Sequence, residues 1–116
     1  MANSLNSLPM ILDTDLASWR TAAAIVAAGY TTGIRVKKLV LAVGSGGASS
    51  AGSVTITAPS DSATLYPPIP VAATVAANSI LVTDEPTDAL GTLTWRDFAV
   101  TGLTATGTRL FLWWSQ

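Results

Sequence analysis

From Ile34 onward, short runs of aliphatic and β-branched residues alternate with polar ones and break at clusters of Gly, Pro, Ser, Thr and Asp, the texture of short strands joined by turns. Ile34–Val43 reads as a strand ending at Gly44. Ser53-Val-Thr-Ile-Thr57 alternates strictly, with Val54 and Ile56 inward and the threonines outward. Ala63–Tyr66 follows the turn Pro59-Ser-Asp-Ser62, and Pro67-Pro68 reads as a break. Ile69–Val75 comes next, its Pro70 suited to an edge or a strand start. Ser79–Thr83, Thr92–Trp95, Asp97–Thr101 and Thr108–Trp114 complete the set. Before Ile34 the period changes. Leu16, Trp19, Ala23, Val26 and Tyr30 are spaced by 3, 4, 3 and 4, which predicts a helix over about 15–28, capped by Asp13 or Asp15 and stopped at Gly29. Residues 1–8 are small and polar and Met10–Leu12 is a candidate for a short strand, so 1–12 is expected to be an arm that orders by docking. Residues 13–116 then form one domain, mainly β, a sandwich or barrel of about seven or eight strands with one short N-terminal helix.

The final strand departs from simple alternation. In Arg109-Leu-Phe-Leu-Trp-Trp114, Leu110, Leu112 and Trp114 point one way, Phe111 and Trp113 the other, so both faces are apolar. One face can serve the chain's own core; the other must find a helix, a second sheet or another protein molecule. Composition sharpens this expectation. Of 116 residues, 49% are hydrophobic and only 11% charged, about half the usual charged share, and Ala, Ser, Thr and Gly fill the deficit. Much of the surface is therefore expected to be covered in use.

Several function classes are disfavoured. A net charge of −1 without a basic stripe argues against a nucleic-acid partner. The chain has no cysteine and no histidine, which removes disulfides, thiolate metal sites, cysteine nucleophiles and any Ser-His-Asp mechanism within one chain. No run of 18 or more apolar residues exists and the N-terminus lacks a basic signal-like region, so neither a membrane span nor secretion is expected. We expect no catalytic residue and no cofactor.

Candidate sites each carry a plain alternative. Asp84, Glu85 and Asp88 lie in one turn, where oxygen ligands for calcium are an option and a solvated turn is the simpler reading. Asp13 and Asp15 read as caps before metal ligands. The loop Gly44–Gly52 lacks the Gly-Lys-Ser/Thr ending of a phosphate loop and reads as a hairpin connector. Arg35, Lys37 and Lys38 are half of the basic residues. On a strand Arg35 and Lys37 share a face and Lys38 falls with Ile34 and Val36; the group suits a solvated strand end or contact with an acidic protein. Trp19, Trp95, Trp113 and Trp114 divide between core, subunit interface and a sugar-stacking platform. The interface candidates are Trp113, Phe111, Trp19, Arg35 and Lys37.

Taken together, Ser53-Val-Thr-Ile-Thr57, Leu65-Tyr-Pro-Pro-Ile-Pro-Val71, Leu93-Thr-Trp-Arg-Asp-Phe-Ala-Val-Thr-Gly-Leu-Thr-Ala-Thr-Gly-Thr108 and the aromatic end resemble small β-rich virion proteins of tailed bacteriophages, most of all the capsid decoration, or cement, proteins. The resemblance covers about residues 34–116. It implies a jelly-roll-like sandwich, made in the host cytoplasm, that assembles as a homo-oligomer, commonly a trimer, on the outside of the head. Its partner would be the major capsid protein or another virion protein. A tail, neck or fibre component would share the same texture. A carbohydrate-binding module and a small enzyme are the alternatives from other classes.

Overall fold

The computed structural model describes residues 3–30, 32–85 and 94–115, which form eight strands and two short helices: β1 (Met10–Leu12), α1 (Ala23–Ala28), β2 (Ile34–Val43), β3 (Gly52–Thr57), β4 (Thr64–Val71), β5 (Ile80–Asp84), β6 (Thr94–Trp95), β7 (Ala99–Thr101), α2 (Leu103–Thr106) and β8 (Thr108–Ser115). All described pairings are antiparallel. The larger sheet runs β1-β8-β2-β5, with β6 also paired to β2, and the smaller runs β4-β3-β7. The protein is thus mainly β, in two sheets.

Alternation decides which side of each strand is buried. Ile34, Val36, Leu39, Leu41 and Val43 of β2 face inward, as do Leu110 and Leu112 of β8 and Met10 and Leu12 of β1. Val54 and Ile56 of β3, Ile69 and Val71 of β4 and Val100 of β7 meet them from the smaller sheet, in one shared core. Each such aliphatic side chain contributes about 1.5–3 kcal/mol on burial.

The smaller sheet gains a fourth member from a segment with no regular strand assignment. Leu16 exchanges both backbone hydrogen bonds with Val100, at 2.9 and 2.9 Å, and the Trp19 N–H donates to the Phe98 carbonyl at 2.9 Å. Counting this segment, the order becomes 16–19, β7, β3, β4. The same bonds explain why the expected helix over 15–28 shrinks to Ala23–Ala28. The Leu16 N–H and carbonyl are bonded to Val100 of β7 and the Trp19 N–H to Phe98 just before it, so these groups cannot join a continuous helix; the Trp19 carbonyl closes a single turn, accepting from the Ala22 N–H at 3.2 Å. Within the helix the buried residue is Ile25, while Ala23 and Val26 are exposed, so the 3-4 spacing of apolar residues joined a strand-like segment to a helix.

Asp13 and Asp15 do cap backbone or balance charge, but not at α1, whose N-terminus has no side-chain cap. Asp15 Oδ1 accepts from the N–H groups of Leu103 and Thr104 at 2.8 and 3.2 Å, capping α2 from the far side of the sequence. Asp13 pairs with Arg109, Oδ1 to Nε 3.1 Å. Residues 3–12 are likewise integral to the domain. Ser4 and Ile11 exchange backbone bonds at 2.8 and 3.0 Å, Asn3 Oδ1 accepts from the Asp13 N–H at 2.8 Å, and Leu5 is buried in the core. The segment expected to be an arm docks on its own sheet, because Leu5, Met10 and Leu12 carry apolar side chains that the shared core buries.

Two loop expectations also change. β4 runs on through Pro67-Pro68, which lie within the register shift between the Val54–Ile69 and Ile56–Tyr66 pairs; β4 is an edge strand among the described residues, and an edge with a bulge tolerates a missing N–H. The Gly-rich loop 44–52 is no hairpin, since β2 and β3 lie in different sheets. It crosses between them and is pinned to α2 by Ser49 N–H to the Thr106 carbonyl, 2.9 Å, and Ser50 Oγ to the Ala105 carbonyl, 2.7 Å.

Candidate interaction surface

Strand register assembles the outer face of the larger sheet. Ile11 of β1 lies opposite Phe111 of β8, Phe111 opposite Val40 of β2, and Val40 opposite Thr83 of β5. Directly opposed residues share a face, so Ile11, Phe111 and Val40 form an apolar row across three strands, each half-buried by its neighbours. Below it Trp113 is paired with Lys38, whose Nζ sits 5.1 Å from the indole centroid, a cation–π contact. Above it Arg109 is paired with Ala42, and Ala42 with Ile80, which is 67% exposed. Both helices contribute to the opposite side, through Ile25 and Leu103. Among the described residues no element covers the outer face.

Charge on this face is balanced within the chain. The Arg109–Asp13 pair flanks the apolar row on one side; on the other, Lys38 Nζ lies 3.8 Å from Glu85 Oε1. Arg35 and Lys37, both exposed, make no ion pair among the described residues. Lys38 does not share the face of Ile34 and Val36 as simple alternation predicts. A register shift between Val36 and Lys38 inserts an extra residue against β8 and turns Lys38 outward over Trp113.

Among the expected interface residues, Phe111 and Trp113 lie on this outer face and Arg35 and Lys37 at its end. Trp19 does not join them. It is 0% exposed, stacked on Phe98 at 5.8 Å and met edge-on by Trp114 at 6.4 Å, and it belongs to the core. Trp95 is buried too, 5.2 Å from Phe98, and Trp114 packs edge-on to Tyr30 while its Nε1 donates to the Ser7 carbonyl at 2.8 Å. Three of the four indoles thus build one aromatic cluster that seals the end of the core where 16–19, β6 and β8 meet. The indole N–H groups of Trp19 and Trp95 have no acceptor among the described residues, a cost of about 1–3 kcal/mol each that large aromatic burial offsets.

The acidic turn is engaged locally. Asp84 Oδ2 accepts from the Tyr66 hydroxyl at 2.7 Å, joining the edges of the two sheets. Burial first, then this hydrogen bond and the adjacent charge push the Tyr66 pKa up to about 12. Glu85 reaches Lys38, and Asp88 lies outside the described residues. No group of three or more carboxylates converges among the described residues, and no described helix is long and apolar enough to cross a membrane.

Sequence reasoning found the two-sided character of β8 but missed the Lys38–Trp113 contact, which depends on a bulge, and Ile11, which reads as part of an arm. No protein-family model matches the chain, and no curated protein and no solved structure matches it either.

Proposed function

We propose that this is a structural protein of a tailed-phage virion that binds the outside of the head and stabilises the shell by bridging capsomers, acting as a homo-oligomer, with three copies the expected number. The observation that carries this reading is the uncovered outer face with its row Ile11–Phe111–Val40 and the adjoining Trp113. The charges that flank the row, Arg109 and Lys38, are paired within the chain, which suits a second copy of the same molecule against the row better than a strongly charged partner. The unpaired cations Arg35 and Lys37 at its end suit an acidic surface on the capsid protein.

We read the two strand orders as a jelly roll. The sequences β1-β8-β2-β5 and 16–19-β7-β3-β4 interleave as two Greek keys folded together do. This supports the resemblance read from residues 34–116 and leaves function to the surface. The protein would act by binding alone. Affinity for the assembled lattice over free capsomers shifts the equilibrium toward the shell, and linked copies raise one another's effective concentration.

The test combines solution mass with pelleting. Light scattering is expected to give an oligomer, and the protein is expected to co-pellet with undecorated expanded heads to a saturable, lattice-like stoichiometry. Trp113→Glu should leave a folded monomer, because burying a charge at an interface centre costs about 2 kcal/mol or more. A wild-type monomer that ignores heads overturns the proposal.

A further inference from the structure

A cleft of about 600 Å³, open to solvent, lies away from the outer sheet face, lined by Arg20, Ala58, Ser60, Leu65, Arg96 and Asp97. Its walls come from three separate parts of the chain. Arg20 lies in the turn after Trp19, Arg96 and Asp97 in the bend between β6 and β7, and Ala58 and Ser60 in the turn leading into β4, which supplies Leu65. Asp97 ties the first two walls together. Its carboxylate accepts from Ser18 Oγ at 3.0 Å through each oxygen and from the Arg20 backbone N–H at 2.8 Å.

That engagement decides the polarity of the cleft. Among the described residues Asp97 is the one acidic residue of the lining, and its oxygens are already bonded to the hydroxyl and the backbone. Neither Arg20 nor Arg96 makes an ion pair or a side-chain hydrogen bond among the described residues. Both guanidinium groups are exposed, and Ser60 Oγ likewise has no partner there. The cleft therefore offers two planar forks of N–H donors and one hydroxyl, beside the apolar side chains Ala58 and Leu65. A guanidinium fork matches a carboxylate or phosphate with two parallel bonds. The apolar wall favours a ligand whose charged group continues into an aliphatic stem.

We propose that this cleft binds a carboxylate carried on a short aliphatic stem, held by Arg20 and Arg96, with Ala58 and Leu65 against the stem. An acidic side chain of a protein has this chemistry, as does a small free carboxylic acid. The site stands independently of the proposed assembly, because it is tested on the isolated chain with small probes.

Amide chemical shifts of the intact protein would be followed by NMR during titration with butyrate, with butyramide as the neutral isostere and with inorganic phosphate, at low and at physiological salt. The expected result is saturable binding of butyrate centred on Ser60, Leu65, Arg96 and Asp97, with a dissociation constant of about 1–10 mM, weakened by salt. Butyramide should give no saturable response. Arg20→Gln and Arg96→Gln should each weaken butyrate roughly tenfold, and Arg96→Lys should recover only part of the loss. Both arginines are exposed, so the thermal melts of these variants should match the parent and report folding independently. Unsaturated shifts at tenfold higher concentration, or binding that persists in the double Gln variant, would overturn the site. Phosphate binding more tightly than butyrate would overturn the assignment of its ligand class.

Discussion

Replacing Asp15 by alanine tests how the chain before α1 is tied to α2. Asp15 Oδ1 is the acceptor for the Leu103 and Thr104 N–H groups at 2.8 and 3.2 Å, and the Asp15 N–H donates back to Thr104 Oγ1 at 3.2 Å. Helix α2 has only four residues and no side-chain cap from its own Gly102, so this carboxylate is its N-terminal support. Loss of a capping side chain costs about 0.5–2 kcal/mol. Here the acceptor is charged and takes two donors, one of them on the fully buried Leu103, which places the loss at the upper end, about 1.5–2 kcal/mol. For a chain of 116 residues this corresponds to a fall in Tm of about 6–8 °C. Urea unfolding followed by tryptophan fluorescence, with thermal circular dichroism, measures both. Asp15→Asn keeps an acceptor and should lose about half as much. In a cycle with Thr104→Ala, the two single losses should sum to more than the double loss, because the pair shares one junction. A loss below about 0.5 kcal/mol for Asp15→Ala, the size of an ordinary surface substitution, would refute the capping argument.

Gly102→Ala should be severely destabilising. Its φ is +92°, and a Cβ built there lies 2.1 Å from the Ser53 carbonyl oxygen, so β3 must shift in addition to about 1–2 kcal/mol of backbone strain; a Tm within 3 °C of the parent would count against this. Leu5→Ala should cost about 2–4 kcal/mol, as expected for a buried leucine, measurable by denaturant unfolding, whereas a dispensable arm would lose almost nothing. Tyr66 gives a pH signature. Its pKa is raised from 10.0 to about 12 in the folded protein, so the folded state holds the hydroxyl proton more tightly than the unfolded state. The associated stability is complete below pH 10 and is lost as pH rises toward about 12. Tyr66→Phe should therefore show a shallower fall in stability across that window than the parent, and identical pH profiles would disprove the linkage.

What was legible in the sequence was local. Strand β2 was read with both ends correct because ten residues of β-rich sequence stop at a glycine, and Val54 and Ile56 were placed inward by alternation alone. The two-sidedness of β8 was likewise legible, which is why Phe111 and Trp113 could be placed together on the face away from Leu110 and Leu112. The segment 15–22 was misread because its apolar spacing fits a helix equally well, and only the distant backbone of β7 decides otherwise. Trp19 went with it, from expected interface to core, since its stacking partner Phe98 is far away in sequence. The outward turn of Lys38 needs a bulge that no local pattern announces. Arg20 and Arg96 meet in a cleft only because Asp97 binds the Arg20 turn, a contact between separate segments.

The prolines of β4 bear on how the molecule can polymerise. Pro67, Pro68 and Pro70 lie along the edge of the smaller sheet, and none has an N–H with which to recruit another strand. At the far side of the larger sheet, β1 is flanked by Ser4, whose backbone bonds to Ile11. Runaway ribbon growth, in which copies add edge to edge without limit, is blocked along β4, while lateral contact through the flat side of the larger sheet is not. A chain this poor in charge can therefore be crowded at high local concentration with edge-to-edge addition along β4 disfavoured.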